Sequence, residues 1–552
     1  MLFYNTSRQA PAIHLGWVIL LCTTWTLLGL VGHDPWKPDE AYGFGLVYSI
    51  LNGGDWVVPL LAGEPFMEKP PLYYLTAAAI AKLLSGWLPL HDGARLASGF
   101  YMVLVLVFTG LAGRELWGKG YGRITALIMI ACIGLLVRTH QLITDVALLA
   151  GFSIALYGFA LAPRRFLLAG LLVGSGAGIG FMAKGLLAPG VIGIVALSLP
   201  LLGRTWRSRR YLLCLACALA AALPWLTIWP SLLYLHSPQL FAEWLWLNNF
   251  GRFAGFAHLG TTNDRGYYFS ILPWFAWPAF PLALWTLWRQ RWRGWADPAV
   301  ALPLSVFLIV LGVLSAAAEG RDAYALPLLP PLAVLAAGAV GGLRRGAANA
   351  LDWFSVMTFS LFAVVLWLGW YSTLSGHPAE MAQWFNQQQP GFSAPFNGLA
   401  LFVAVLLSVA WLSVIVLVKR SSLRSIVSSA LGLTLVWGLL ATVWLPWLDA
   451  GKSYRGMVAS LQQALPQQYD CIASRNLGEP QRAMLHYFAN ILTQRLEVAP
   501  QHECRFLLTQ GVAGDGGETL DPAWRLIWTG SRLGDNSERF RLFERLAGAP
   551  AR

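Results

Sequence analysis

Three short polar stretches follow the first apolar run of this chain, and they hold side chains suited to chemistry. They are His33-Asp34-Pro35-Trp36-Lys37-Pro38-Asp39-Glu40-Ala41-Tyr42, Gly54-Asp55-Trp56 and Glu68-Lys69-Pro70-Pro71-Leu72-Tyr73-Tyr74. Asp39 and Glu40 can act as a base toward a hydroxyl or contact a substrate. Lys69 can reach a phosphate as a point charge. Further along stand Arg138-Thr139-His140, Asp145, Lys184 and Glu319-Gly320-Arg321-Asp322-Ala323-Tyr324. Arg321 can grip a phosphate bidentately while Tyr324 hydrogen-bonds it. Each group also has a plainer role. Asp39 is a helix N-cap with Glu40 in the first turn. Glu68-Lys69 is a solvated ion pair, Lys184 snorkels, and the other groups form local ion pairs or charged turns. The closeness of Asp39 and Glu40 to a second acidic loop favours the chemical role, which the capping role does not exclude.

These residues are positioned by a chain that is 57% hydrophobic and 12% charged over 552 residues, with a mean hydropathy of +0.56. That composition reads as a polytopic membrane protein, and its 27 tryptophans suit interfacial belts. Apolar stretches long enough to cross a bilayer lie at 12–31, 95–113, 122–138, 145–162, 166–183, 186–202, 211–229, 268–288, 299–317, 325–342, 352–373, 396–418 and 425–447. The stretch 72–90 is ambiguous, since it follows two prolines and carries Lys82. Basic clusters at Arg114/Lys119/Arg123, Arg164/Arg165, Arg204/Arg207/Arg209/Arg210, Arg289/Arg291/Arg293, Arg344/Arg345 and Lys419/Arg420/Arg424 decide it. They share the side of the N-terminal segment, with its Arg8, only if 72–90 does not span. The expectation is therefore about thirteen spans, an interfacial or re-entrant helix at 72–90, and a retained first span. The N-terminus is then cytoplasmic and the C-terminus outside. The net charge of +12 belongs to those basic loops rather than to a nucleic-acid surface.

This topology puts all the candidate groups on the outer face, together with His236, Arg252, His258 and Arg265 of the loop 230–267. The middles of the spans carry almost no ionisable residues, which weighs against an ion-coupled transporter. No Walker motif is evident, and Gly174-Ser175-Gly176-Ala177-Gly178-Ile179-Gly180 lies within a span, where small residues allow close helix packing. From 448 the composition turns ordinary. Strand-like runs occur at Tyr469 to Ala473, Arg495 to Val498, Arg505 to Leu508, Trp524 to Trp528 and Arg539 to Phe543, with a helix opening at Glu479-Pro480. The chain divides into a membrane domain, 1–447, and a small outer α/β domain, 448–552. Cys471 and Cys504 fall in that outer domain, where a disulfide is compatible with an oxidising compartment. Cys214 and Cys217 have metal-site spacing without partners.

The ordered set Pro38-Asp39-Glu40-Ala41-Tyr42, Gly54-Asp55-Trp56-Val57-Val58-Pro59, Glu68-Lys69-Pro70-Pro71-Leu72-Tyr73-Tyr74, Asp145, Ala183-Lys184-Gly185 and Tyr324-Ala325-Leu326-Pro327 resembles the GT-C class of membrane glycosyltransferases. The branch it resembles holds the aminoarabinose lipid A transferases and the protein O-mannosyltransferases. The resemblance covers 30–340. It implies a mainly α, polytopic inner-membrane enzyme. Such an enzyme moves a sugar from a polyprenyl-phosphate carrier to an outer-face acceptor, with lipid A or a protein as acceptor. A lipid or sugar transporter is the alternative. The resemblance makes Asp39 the leading catalytic candidate, with Glu40 beside it. It places Lys69, Lys184 and Tyr324 near the carrier phosphate, and Glu68, Asp55, Asp145 and Arg321 complete the candidate substrate-binding set. A divalent cation is compatible with the outer carboxylates, although no ligand set stands out.

Overall fold

The computed structural model describes residues 13–257, 263–264, 266–294, 296–393, 395–500, 503–512 and 523–546. Arg8, His258 and Arg265 lie outside the described residues, as does the side chain of Arg293. The chain is mainly helical. Every predicted span falls on a helix or on a bent pair of helices. Among the described residues eight helices are long and apolar enough to cross a membrane, or up to ten if each bent pair is one span. The helices Leu15–Leu27, Asp145–Leu161 and Leu187–Leu202 are apolar but shorter.

Hydropathy does not report direction, and two expected straight spans are bent. Tyr121–Ile130 turns by 61° into Ile133–His140, and Tyr267–Phe275 turns by 96° into Ala279–Arg291. The second break holds Trp277-Pro278, where the proline ring and missing N–H oppose helix continuation. The glycine run acts as predicted. In the helix Phe166–Lys184, a Cβ on Gly176 would stand 2.6 Å from the Gly151 carbonyl, so only glycine permits that approach to Asp145–Leu161. Arg123 donates to the Ile13 carbonyl at 2.6 Å, which puts Ile13 at the end bearing that basic cluster.

Two shorter helices build the opposite end. Asp39–Leu51 places both acids in its first turn, where the helix dipole favours them. Its sequence suggests an amphipathic segment with one wet face. Instead Ala41 through Val47 are all buried. The reason is the C-terminal domain: Tyr487 packs on Phe44 at 4.6 Å between ring centres, and His486 on Tyr48 at 5.1 Å. Leu72–Leu84, opened by Pro70-Pro71, is the expected short helix and is followed by Leu90–Trp117. Between Asp39–Leu51 and Leu72–Leu84 the strands β1 (Leu60–Leu61) and β2 (Glu64–Pro65) form a tight hairpin. Its two turn residues, Ala62 and Gly63, both have positive φ, as a twist-matched two-residue turn requires.

Among the described residues the C-terminal region forms a sheet of five strands with helices on it. The strands are β3 (Ile472–Arg475), β4 (Thr493–Arg495), β5 (Phe506–Gly511), β6 (Trp524–Gly530) and β7 (Arg539–Arg545), in the order β4-β3-β5-β7-β6. β3 runs parallel to β4 and β5, whereas β7 is antiparallel to β5 and β6. The helix Glu479–Ala489 makes the β3-to-β4 crossover. The run predicted at Arg495 to Val498 is displaced: the strand ends at Arg495, and the Glu497 carboxylate instead accepts from the Asn476 backbone at 2.7 Å in the following turn. Cys471 and Cys504 are disulfide-bonded, with Cα atoms 5.1 Å apart, while Cys214 and Cys217 are free thiols.

One residue ties the first outer segment to the helices. Arg95 is fully buried. It donates to Glu40 at 2.5 Å, to Asp92 at 2.7 Å, and to the carbonyls of Leu30, His33 and Asp34 at 3.0–3.3 Å. A buried charge is tolerated only when paired and fully hydrogen-bonded. Replacing Arg95 by Met should strand two carboxylates and cost about 3–5 kcal/mol. Thermal unfolding of the purified variant should show a markedly lowered midpoint, and a midpoint matching wild type would refute the role.

Candidate active site

The turns at the end opposite Arg123 converge on a small polar pocket of ≈ 40 Å³. It is lined by Asp39, Tyr42, Lys69, Arg138, Asp145, Lys184, Arg321, Asp322 and Tyr324 among others. Helix geometry decides which acid faces it. Successive helical residues point about 100° apart. Asp39 therefore reaches the pocket while Glu40, 0% exposed, turns into the core to Arg95. Glu40 also accepts from the backbone of Trp36 at 3.1 Å and of Leu142 at 3.3 Å. It holds the local fold and does not line the pocket. Asp55 is also elsewhere: it accepts from the Val57 backbone at 2.7 Å and faces His236 at 3.4 Å.

Two arginines face Asp39, Arg138 at 3.8 Å and Arg321 at 3.7 Å. Arg138 is anchored by Asp322, to which it donates at 2.9 to 3.1 Å. The expected local pair of Arg138 with Asp145 is thus replaced by pairs with Asp39 and Asp322, because Asp145 is taken by Lys184. Arg321 is half-open to solvent, and its guanidinium makes no hydrogen bond among the described residues. The Glu319–Tyr324 turn is therefore not a solvated surface turn but one wall of the site.

A second cavity, of ≈ 340 Å³, adjoins the first and shares Lys69, Lys184 and Tyr324 with it. Its walls are the apolar faces of the helices Leu187–Leu202 and Pro298–Ala316, through Leu187, Val191, Ile194, Val313 and Leu314. Its polar end holds Glu68, Lys69, Lys184, Arg252, Glu319 and Tyr324. Lys69 donates to the Tyr42 hydroxyl at 2.6 Å and lies 3.7 Å from Glu68. Arg252 donates to Glu68 at 2.5 Å and lies 3.5 Å from Glu319. The Lys184 ammonium sits 3.8 Å from the centre of the Tyr324 ring, a cation–π contact. Burial pushes the Glu68 carboxyl up, but Lys69 and then Arg252 outweigh it and hold it at about 2. Burial alone would strip the proton from Lys69, yet Glu68 and the surrounding acids raise its pKa, so it stays charged.

The sequence pointed to Lys69, Lys184, Arg321 and Tyr324 and missed what Arg95 and Arg252 do. Arg95 looked like the first residue of a span. A charge at the edge of an apolar run is itself a signal, because it must find a partner. Arg252 is expected on the outer face, against the positive-inside bias, the same signal that marked Lys184. Asp39 faces arginines, Asp145 holds Lys184 and Glu68 holds Arg252. Among the described residues no three His, Cys, Asp or Glu side chains are grouped as metal ligands.

No protein-family model matches the chain. It is 28% identical over 368 residues to the undecaprenyl phosphate-alpha-4-amino-4-deoxy-L-arabinose arabinosyl transferase of Pseudomonas paraeruginosa, a match covering 63% of this chain and 64% of that protein. It is 27% identical over 388 residues to the enzyme of the same name in Edwardsiella ictaluri, covering 66% and 67%. The chain thus spans less than two thirds of the length of the first of these relatives. Among solved structures, ArnT from Cupriavidus metallidurans bound to undecaprenyl phosphate superposes with a TM-score of 0.70 at 17% identity, covering 97% of this chain and 99% of that one. The same protein in the apo state gives 0.68. The chain is a multi-pass membrane protein that shares the fold of ArnT and is similar in sequence to the aminoarabinose transferases.

Proposed function

We propose that this protein is a membrane glycosyltransferase that takes a sugar from a polyprenyl-phosphate carrier and passes it to an acceptor on the outer face of the bacterial inner membrane. 4-Amino-4-deoxy-L-arabinose and lipid A are the favoured sugar and acceptor. The observation that carries this reading is the pair of adjoining cavities, one apolar and one polar, that share Lys69, Lys184 and Tyr324. A polyprenyl chain entering laterally lies in the apolar cavity, and its phosphate stops at the charged end. The sequence similarity to the named aminoarabinose transferases supports the choice of sugar. About thirteen spans, a cytoplasmic N-terminus and a periplasmic C-terminal domain complete the reading.

The chemistry follows from the two sides. The bond between the sugar's anomeric carbon and the phosphate oxygen breaks, and the electron pair leaves with the phosphate. Lys69 and Arg252, with Lys184, neutralise the charge that develops there. An acceptor oxygen approaches from the Asp39 side and forms the new bond to that carbon. Arg138 and Arg321 flank Asp39 and draw an anionic acceptor toward it. An acceptor phosphate is already ionised, so no base is needed. Asp39 then bears against positive charge on the sugar and orients the acceptor. A neutral hydroxyl, as in a protein serine, would gain less from two arginines, which places protein O-mannosylation second.

Transfer of labelled sugar from a polyprenyl-phosphate donor tests the reading. Asp39→Asn should lower kcat by roughly 10²–10³-fold with donor KM little changed. Lys69→Met should weaken both donor binding and turnover. Wild-type rates in Asp39→Asn would remove that residue from the mechanism. The Glu68 pair predicts an acid limit. Its folded pKa of about 2 lies below its ordinary 4.5, so its stabilising effect is complete above 4.5 and is lost as pH falls toward 2. Thermal unfolding followed across that window should show a steeper loss in wild type than in Glu68→Gln, and parallel curves would refute it.

A further inference from the structure

The segment leading to Asp39 is gripped from the far end of the chain. Asp449, beyond the last apolar helix, accepts from the Asp34 backbone at 3.0 Å and from the Trp36 indole at 2.8 Å. Asp34 accepts from Ser453 at 2.7 Å and from Arg455 at 2.8 Å. The third grip is the most direct. Glu538, just before β7, accepts from the Lys37 ammonium at 2.9 Å. Glu538 is 3% exposed, and its other oxygen accepts from Arg532 at 2.7 Å. Gln481, Gln510 and Tyr454 donate to the oxygen that holds Lys37, at 3.2, 3.3 and 3.4 Å.

Only Pro38 separates Lys37 from Asp39. Proline's fixed φ leaves little slack in that link. Asp39 itself is held loosely, since both arginines stand beyond hydrogen-bond distance at 3.7 and 3.8 Å. The place of its carboxylate is therefore set by the backbone on both sides of it, by the Glu40–Arg95 pair after it and by the Lys37 loop before it. Glu538, in turn, is fixed by a fully used set of donors and has little freedom to move.

We propose that the Lys37–Glu538 pair makes the C-terminal domain a positioning device for Asp39. This rests on the catalytic reading of Asp39 given above. Lys37 and Glu538 are positioning residues and touch no reacting atom. The polar lock at Asp34, Trp36 and Asp449 fixes the loop as a whole, and the Lys37 tether sets its last step.

Lys37→Met is a clean probe, because Lys37 is partly exposed and Glu538 keeps Arg532 as its cation. In full-length protein in vesicles, kcat for sugar transfer should fall roughly ten- to hundredfold, the effect of a small misplacement. Donor KM should hold, because the carrier phosphate lies on the far side of Lys69, Lys184 and Tyr324. Lys37→Arg should restore turnover. Glu538→Gln should lower kcat similarly, and the double variant should be no worse than the worse single, since both remove one tether. A second readout needs no activity: the rate at which a membrane-impermeant maleimide alkylates Asp39→Cys, with the parent chain as background. Alkylation should be several-fold faster with Lys37→Met than with Lys37 in place. Equal alkylation rates would overturn the tether. So would a raised acceptor KM at unchanged kcat, which would make Lys37 an acceptor contact. If wild type transferred no sugar, the functional reading would fail while the alkylation rates still decided the tether.

Discussion

The buried Arg95–Glu40 pair is the constraint on which the pocket-bearing end of this molecule depends. A guanidinium taken out of water is stable only if its donors are satisfied, and Arg95 meets that condition with two carboxylates and three carbonyls. The pair welds the helix Asp39–Leu51 to Leu90–Trp117 and closes the loop between them. It also fixes the rotation of Asp39–Leu51 about its axis. With Glu40 turned to the core, Asp39 has one direction left, into the pocket. A carboxylate turned away from the pocket thus aims the one that lines it.

Around that weld the charges are arranged as interlocking pairs. Glu68 and Arg252 sit at the polar end of the apolar cavity, Lys184, paired with Asp145, lines both cavities, and Asp39 with its two arginines stands at the polar side. Each cation is held by a carboxylate that an incoming phosphate can partly replace. The site is charged and buried without being filled by its own partners. Such an arrangement suits a leaving group and an acceptor that are both anionic and must be kept apart by the sugar. The C-terminal domain adds a further layer, with Arg482 and Arg495 clamping Glu64 of the β1–β2 hairpin at 2.8 and 2.9 Å.

Much of this was legible in the sequence, for definite physical reasons. Apolar runs of bilayer length and one-sided basic loops gave the helices and gathered Asp39, Lys69, Lys184 and Tyr324 at one end of them. The paired prolines before Leu72 marked a short helix, and the alternating tail gave a sheet. What local pattern does not carry is rotation, bending and long-range docking. Asp39 and Glu40 are neighbours in sequence, yet helix geometry sends them to different places, so both looked alike as candidates. Nothing in the hydropathy of 268–288 showed that the chain turns at Pro278. The face of Asp39–Leu51 read as wet because its cover, Tyr487 and His486, comes from more than 400 residues downstream. Arg252 was hidden among aromatics in a long loop, and only its pairing with Glu68 reveals its part.

The central claim is that an anionic acceptor meets a polyprenyl-phosphate sugar between two cation-lined cavities. The most direct measurement offers purified protein in vesicles a labelled aminoarabinose carrier with three acceptors in separate reactions: lipid A, lipid A stripped of its phosphates, and a peptide pool. Label should pass to intact lipid A and not to the stripped lipid or the peptides. Equal labelling of stripped lipid A, or transfer to peptide alone, would contradict the account.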